Sequence, residues 1–194
     1  MARYSLSYTA AGLRAPEMVT LARAYAQTLD WGEVRRRTLE DDLLMIRSPS
    51  SRQRVSRELI KRLRTLDAPQ LEALAAPGTD APAARALAWA AVCRTYEFVA
   101  IFCTDVVRER WESGAATLPR GVYEGFFEEQ ALTHPELEGL SPSTRARLES
   151  QLFTMLREMG FLDRTGSLMP YLMPEAARPL LSGSDLASFP TLVS

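Results

Sequence analysis

The run from Ala83 to Val107 is the most apolar stretch of the chain, and it restricts the fold more than any other feature. Arg85, Arg94, Glu97 and Asp105 interrupt it, so no window reaches the ~18 uncharged residues of a membrane span. Its pattern predicts one long core helix, capped by Thr79 or Asp80 after the Pro77-Gly78 stop and running to Trp111. A helix apolar around most of its circumference must be wrapped by other elements, which makes the expected fold mainly α. Cys93 and Cys103 both fall in this run. Ten residues of straight helix separate them by ~15 Å, beyond disulfide reach, so both read as buried thiols in a reducing compartment. Met1 to Leu13 carries no apolar run of the signal-peptide kind, and a cytoplasmic location is expected.

The rest of the chain arranges itself around that helix. Pro16 to Thr28 predicts a first helix with Met18, Leu21, Ala22 and Tyr25 on one side. Asp30 caps a second, anchored by Trp31, Val34, Leu39 and Leu43, which ends before Arg47-Ser48-Pro49. Ser50 or Ser51 opens the third, and Leu71 and Leu74 mark a short fourth. The small-residue stretch Ser113 to Pro119 predicts a domain boundary, dividing the chain into residues 1–116 and 117–194. Beyond it, helices are expected over Arg120 to Leu132 and from Ser141-Pro142 to Gly160. Two short strands follow, Phe161-Leu162 and Leu168 to Met173, flanking Arg164-Thr165-Gly166-Ser167. Helix, helix, hairpin is the order of a small winged helix, and of an ordinary helical hairpin with a loop. Ser182 to Ser194 reads as a poorly ordered tail.

Net charge is only −1, but its distribution is two-sided. Between Arg47 and Arg64 the cations Arg47, Arg52, Arg54, Arg57, Lys61, Arg62 and Arg64 surround a single acid, Glu58. Between Glu109 and Glu138 seven glutamates face only Arg110 and Arg120. With Val55 at zero and about 100° per residue, Leu59, Leu63 and Leu66 fall within about 80°, while Arg54, Arg57, Lys61 and Arg64 cluster opposite. Arg62 lies nearer the apolar side, its stem laid over the core. Such a helix offers phosphate-binding guanidiniums, supported by the hydroxyls of Ser48, Ser50 and Ser51 and by free amides at its start. The break before it resembles the turn of a helix-turn-helix. A basic surface helix is also common where arginine is abundant, and here Lys61 is the only lysine. A second candidate surface is the helix after Ser141, where Arg145, Arg147 and Gln151 point outward, with Arg164 at the tip of a wing.

Catalytic constellations are not found. A P-loop needs glycines before Lys-Ser or Lys-Thr, and Lys61 has none near it. One histidine and two cysteines cannot complete a zinc site. His134, beside Pro135 in a polar loop, reads as a solvated turn residue, with no Gly-x-Ser-x-Gly elbow to serve. The carboxylate groups Glu40-Asp41-Asp42 and Glu128-Glu129 are the remaining catalytic candidates, but adjacent helical residues diverge by about 100°, so they read as solvated acids. No cofactor, metal or small-molecule substrate is expected, and the open readings are a nucleic-acid binder or a protein-binding scaffold.

Several segments, taken in order, carry a resemblance: Tyr4-Ser5-Leu6 through Gly12-Leu13; Leu39-Glu40-Asp41-Asp42-Leu43-Leu44, Arg47-Ser48 and the basic helix to Lys61-Arg62-Leu63; Phe102 to Trp111; and Leu140-Ser141-Pro142-Ser143-Thr144-Arg145 to Leu156-Arg157-Glu158-Met159-Gly160-Phe161-Leu162. In these the chain is similar to the BrxA family, the small component of BREX bacteriophage-exclusion systems. The resemblance implies a non-enzymatic helical protein with a NusB-like N-terminal part and helix-turn-helix character, binding double-stranded DNA; some descriptions of the family suggest a membrane protein, against which the charge-broken Ala83 to Val107 segment argues. The resemblance also implies a setting among a DNA methyltransferase, a large ATPase, a phosphatase-like protein and a Lon-like protease. Asp42 departs from the asparagine frequent in the family at that position. A DNA-binding accessory role is the first expectation; a scaffold for other BREX components and a winged-helix transcriptional regulator are the alternatives.

Overall fold

The computed structural model describes residues 3–193. After a short 3-10 turn (Ser7–Ala10), helices α1 (Ala15–Thr28), α2 (Trp31–Glu40), α3 (Pro49–Leu63) and α4 (Ala68–Ala75) lead into α5 (Ala81–Thr95). Helix α6 (Glu97–Ile101) continues through a π-helical stretch (Phe102–Val107) into α7 (Arg108–Glu112). Helices α8 (Arg120–Ala131), α9 (Pro135–Glu138), α10 (Pro142–Met159) and α11 (Gly183–Ala187) make up the second half. The protein is mainly helical, as its periodicity predicts. Helix starts follow local chemistry: the side chains of Asp30, Asp80 and Ser141 accept amide hydrogens, Asp67 and Gln70 form a capping box, and Gly160 in the left-handed region ends α10. Helix α3 begins earlier than expected, because Ser48 caps it and Pro49 takes the first helical position.

Helix α1 packs on α2, α3, α4 and α5, and α3 lies between α2 and α5. The long helix expected from the Thr79 or Asp80 cap to Trp111 is instead broken: α5 and the segment Glu97–Glu112 meet at 113°. Tyr96 leaves the helical region there (φ −126°, ψ 89°) and carries its hydroxyl into a buried polar cluster. No described single helix is long and apolar enough to cross a membrane, although this bent pair passes by length and composition; Ala86 through Val92 are packed inside the protein. The straight-helix separation of Cys93 and Cys103 no longer applies, yet both are free and buried, and burial pushes both thiols well above their usual range.

The wing region also differs from expectation. Leu162 and Leu168 form one antiparallel bridge, and Ser167 forms another with Thr117 from the linker. The segment beyond turns away, and β1 (Tyr171–Leu172) pairs in parallel with β2 (Leu192–Val193). The segment read as a loose tail is therefore built into the fold through residue 193. The Trp89 indole donates to the Ser188 carbonyl (2.7 Å), Arg94 pairs with Asp185 (2.7 Å), and Phe189 is fully buried against Phe161. Its apolar anchors are too widely spaced to announce themselves as an amphipathic element. One apolar cluster runs through both halves. Phe98 and Phe102 of the first half pack on Tyr123 and Phe126 of the second, and the N-terminal segment crosses between them.

Candidate nucleic-acid interface

Helix α3 buries Val55, Leu59, Ile60 and Leu63 and turns two ionised residues inward with them. Arg62 is completely buried, and its Nε donates to the Tyr96 hydroxyl (3.1 Å) while Nη1 donates to the Gly12 carbonyl. Tyr96 donates in turn to Glu58 (2.9 Å), which also accepts from Ser7 (2.7 Å). Burial raises the Tyr96 pKa, so the phenol stays a donor between the buried guanidinium and carboxylate. Arg62 therefore does more than cover the core with its stem: it ties α3 to the Gly12-Leu13 backbone. Glu58, the only acid in the cationic run, is 3% exposed.

The outer face is what remains. Arg47, Arg54, Arg57, Lys61 and Arg64 are exposed. Arg57 approaches Glu58 at 3.6 Å, and Lys61 donates to the Ser5 hydroxyl (2.7 Å) with its ammonium 5.2 Å from the Tyr96 ring centroid. Arg54 to Arg64 spans about 15 Å along the axis. Ser48 and Ser50 are exposed at the helix start with their hydroxyls 3.1 Å apart.

Arg52 belongs elsewhere. Its guanidinium donates to the carbonyls of Leu39 (3.0 Å) and Ile46 (2.9 Å) and pairs with Asp42 (2.7 Å), locking the loop from Asp41 to Ser48 onto α3. That loop is longer than the three or four residues of a helix-turn-helix turn. Asp42 sits in it at φ +51°, a conformation Asp tolerates, and accepts the Ile46 amide. Its carboxylate is a loop clamp rather than a solvated acid.

The second surface is only partly assembled. Arg147 of α10 and Arg164 of the Asp163–Gly166 turn are exposed. Arg145 pairs with Glu128 (2.7 Å) and lies over the Phe127 ring. Gln151 does not point outward: it is half-buried against Gly12, in a cleft of about 820 Å³ shared with Arg23, Arg85, Thr154 and Glu158. His134 is likewise buried rather than solvated, its ring stacked on Tyr4 at 3.8 Å. The described residues contain no group of three or more His, Cys, Asp or Glu placed to hold a metal ion.

No curated protein matches this chain. A solved structure, that of an uncharacterized protein from Magnetospirillum magneticum, is similar in fold with a TM-score of 0.83, 18% identity, and coverage of 98% of this chain and 100% of that one. The sequence profile of the BrxA family matches residues 2–185, through the N-terminal crossing segment, the basic helix and α10 alike. The chain is a member of the BrxA family, and with it of the BREX phage-defence systems.

Proposed function

We propose that this protein is a non-enzymatic, cytoplasmic DNA-binding component of its BREX system, and that the outer face of α3 is the surface that meets double-stranded DNA. The observation that carries this reading is the inward turn of Glu58: of the five exposed cations Arg47, Arg54, Arg57, Lys61 and Arg64, only Arg57 comes within reach of that buried carboxylate (3.6 Å), and no acid of their own segment is exposed beside them. Guanidiniums in such a row suit phosphate oxygens, which fix position without reading bases. The reading rests on α3 as a basic helix and does not require a helix-turn-helix. In the second half, exposed Arg147 on α10 and Arg164 within the bridged turn after it supply a winged-helix-like auxiliary contact, while a NusB-like description suits the α1–α5 bundle. Binding should weaken with salt: four neutralised phosphates give a slope of log K against log salt of about −3 to −4, and alanine at Arg54, Arg57, Lys61 or Arg64 should each flatten it by about one. An unchanged slope after two such substitutions overturns the assignment of α3.

A scaffold role for other BREX components is the second reading, favoured by one observation. Leu132 is 83% exposed at the end of α8, next to exposed Glu128 and Glu129. An apolar side chain beside two acids suits a protein partner with a basic rim rather than DNA.

A further inference from the structure

The cationic row on α3 does not end in open solvent. Arg64, its last member, also forms part of the wall of a cleft of about 510 Å³ between the ends of α1 and α3 and the starts of α2 and α4. Apart from Glu72, the other walls are apolar or aromatic: Tyr25 and Trp31, stacked at 4.0 Å and 12°, together with Leu66 and Leu71. Leu29 stands at the same cleft, 74% exposed and at φ +51°. That position ends α1, where glycine or asparagine would be accommodated most easily. Here the chain instead holds a large apolar side chain out into water in a conformation that L-residues rarely adopt.

We propose that this cleft receives an unpaired nucleobase from the DNA strand held along α3, with Leu29 as the wedge that keeps the base out of the stack. This rests on the α3 reading above and specifies which nucleic acid that surface prefers. Three features select a base over other occupants. The cleft is continuous with the cationic row through Arg64, so a strand whose phosphates follow Arg54, Arg57 and Lys61 arrives at its mouth. Glu72, the acid of the cleft, repels a phosphate but can accept a hydrogen bond from a base amino group or imide. Aromatic rings beside a guanidinium stack with any base, and apolar wedges are a recurrent device for separating base steps.

The test compares a short fully paired duplex with the same duplex carrying one unpaired thymine, by fluorescence anisotropy with the intact protein. The wild-type protein should bind the bulged duplex about five-fold or more tightly, the range expected for one base stacked on an aromatic side chain. Leu29→Asn and Trp31→Ala should bring the bulged duplex back to the paired one while leaving paired-duplex affinity and its salt slope unchanged. Leu29 is exposed and asparagine accepts its backbone conformation, so this variant reports on the wedge even if Trp31→Ala perturbs folding. Equal affinity of the wild-type protein for both duplexes, with a normal salt slope, overturns the inference and leaves the α3 reading standing. Binding to neither duplex removes both. A bulge preference that survives Leu29→Asn and a folded Trp31→Ala places the base elsewhere and overturns the assignment of this cleft.

Discussion

Arg52 and Arg54 are two residues apart in one cationic run, and their surroundings separate their roles. Arg52 is engaged with two carbonyls and Asp42, whereas Arg54 reaches only Ser51 at 3.5 Å. Arg52→Ala should therefore lose about 1–3 kcal/mol in urea unfolding, because it strands partly buried acceptors, while Arg54→Ala should stay within about 0.5 kcal/mol. A DNA-binding defect in Arg52→Ala that vanishes on correcting for unfolded protein would agree; a defect in a fully stable variant would return Arg52 to the interface. The difference was legible in the sequence. On the helical projection with Val55 at zero, Arg52 falls at about 60°, inside the apolar arc, and only its charge groups it with the outer cations. Gly12 offers no such signal. It sits at φ +64°, and a Cβ there would come within 2.9 Å of Gln151 Nε2, a contact made by residues far apart in the chain. Gly12→Ala should cost about 1 kcal/mol or more through its backbone conformation and the displaced amide, read as a lower denaturation midpoint.

Among the elements, those with local signals were read well and those defined by distant contacts were not. Caps at Asp30, Asp80 and Ser141 and the glycine after α10 are short-range chemistry, and the starts of α2, α5 and α10 and the end of α10 stand close to expectation, whereas α2 stops at Glu40, short of Leu43, and α5 at Thr95, short of Trp111. The break between α5 and α6 has no proline or glycine, and the apolar run passes straight over it; what bends the chain is Tyr96 reaching residues of α3. The docked C-terminal segment is the same case, since Arg94 and Asp185 lie 91 positions apart. Burial alone would raise the Asp185 pKa, but the hydrogen bonds from Arg94 and from the Ser182 hydroxyl and amide outweigh it and hold the carboxyl below its usual value. A depressed folded pKa contributes stability above the unfolded value, near pH 4, and loses it as pH falls through the folded one. Docking of Ser182–Val193 should thus loosen below about pH 4, seen as faster hydrogen exchange in α11 and a change in tryptophan emission as Trp89 loses Ser188. Asp185→Asn should loosen the segment already at neutral pH and remove the acid step; a step that persists in the variant would assign it to another carboxylate.

For the whole molecule, the charge asymmetry visible in the sequence and the continuity of the core act together. Glutamates crowd the surface around α8 and α9 while cations line α3, yet the two regions are fastened to one another. The Tyr4 amide donates to Glu136 (2.6 Å) and its hydroxyl to Gln130 (2.6 Å), while Ser5 and Ser7 of the same segment hold Lys61 and Glu58 of α3. Composition marks the linker Ser113–Pro119 as a boundary, but composition cannot show which aromatic side chains meet across it. We propose that residues 1–116 and 117–194 are distinct segments that fold cooperatively. A fragment ending at residue 116 would expose Tyr4, Tyr8, Trp89, Phe98 and Phe102, all at most 8% exposed in the intact chain. Losing the cover over even a few aromatic residues costs about 3–5 kcal/mol each when the site cannot close, against a total stability of about 5–15 kcal/mol. The intact protein should therefore unfold in a single transition by both far-ultraviolet circular dichroism and tryptophan fluorescence. The fragment should keep helical signal without a sharp melt and bind hydrophobic dyes. A fragment of residues 1–116 that melts cooperatively near the temperature of the whole chain would show two independently stable domains. In that case the crossing segment Tyr4–Leu13 would be a tether between them rather than part of a shared core.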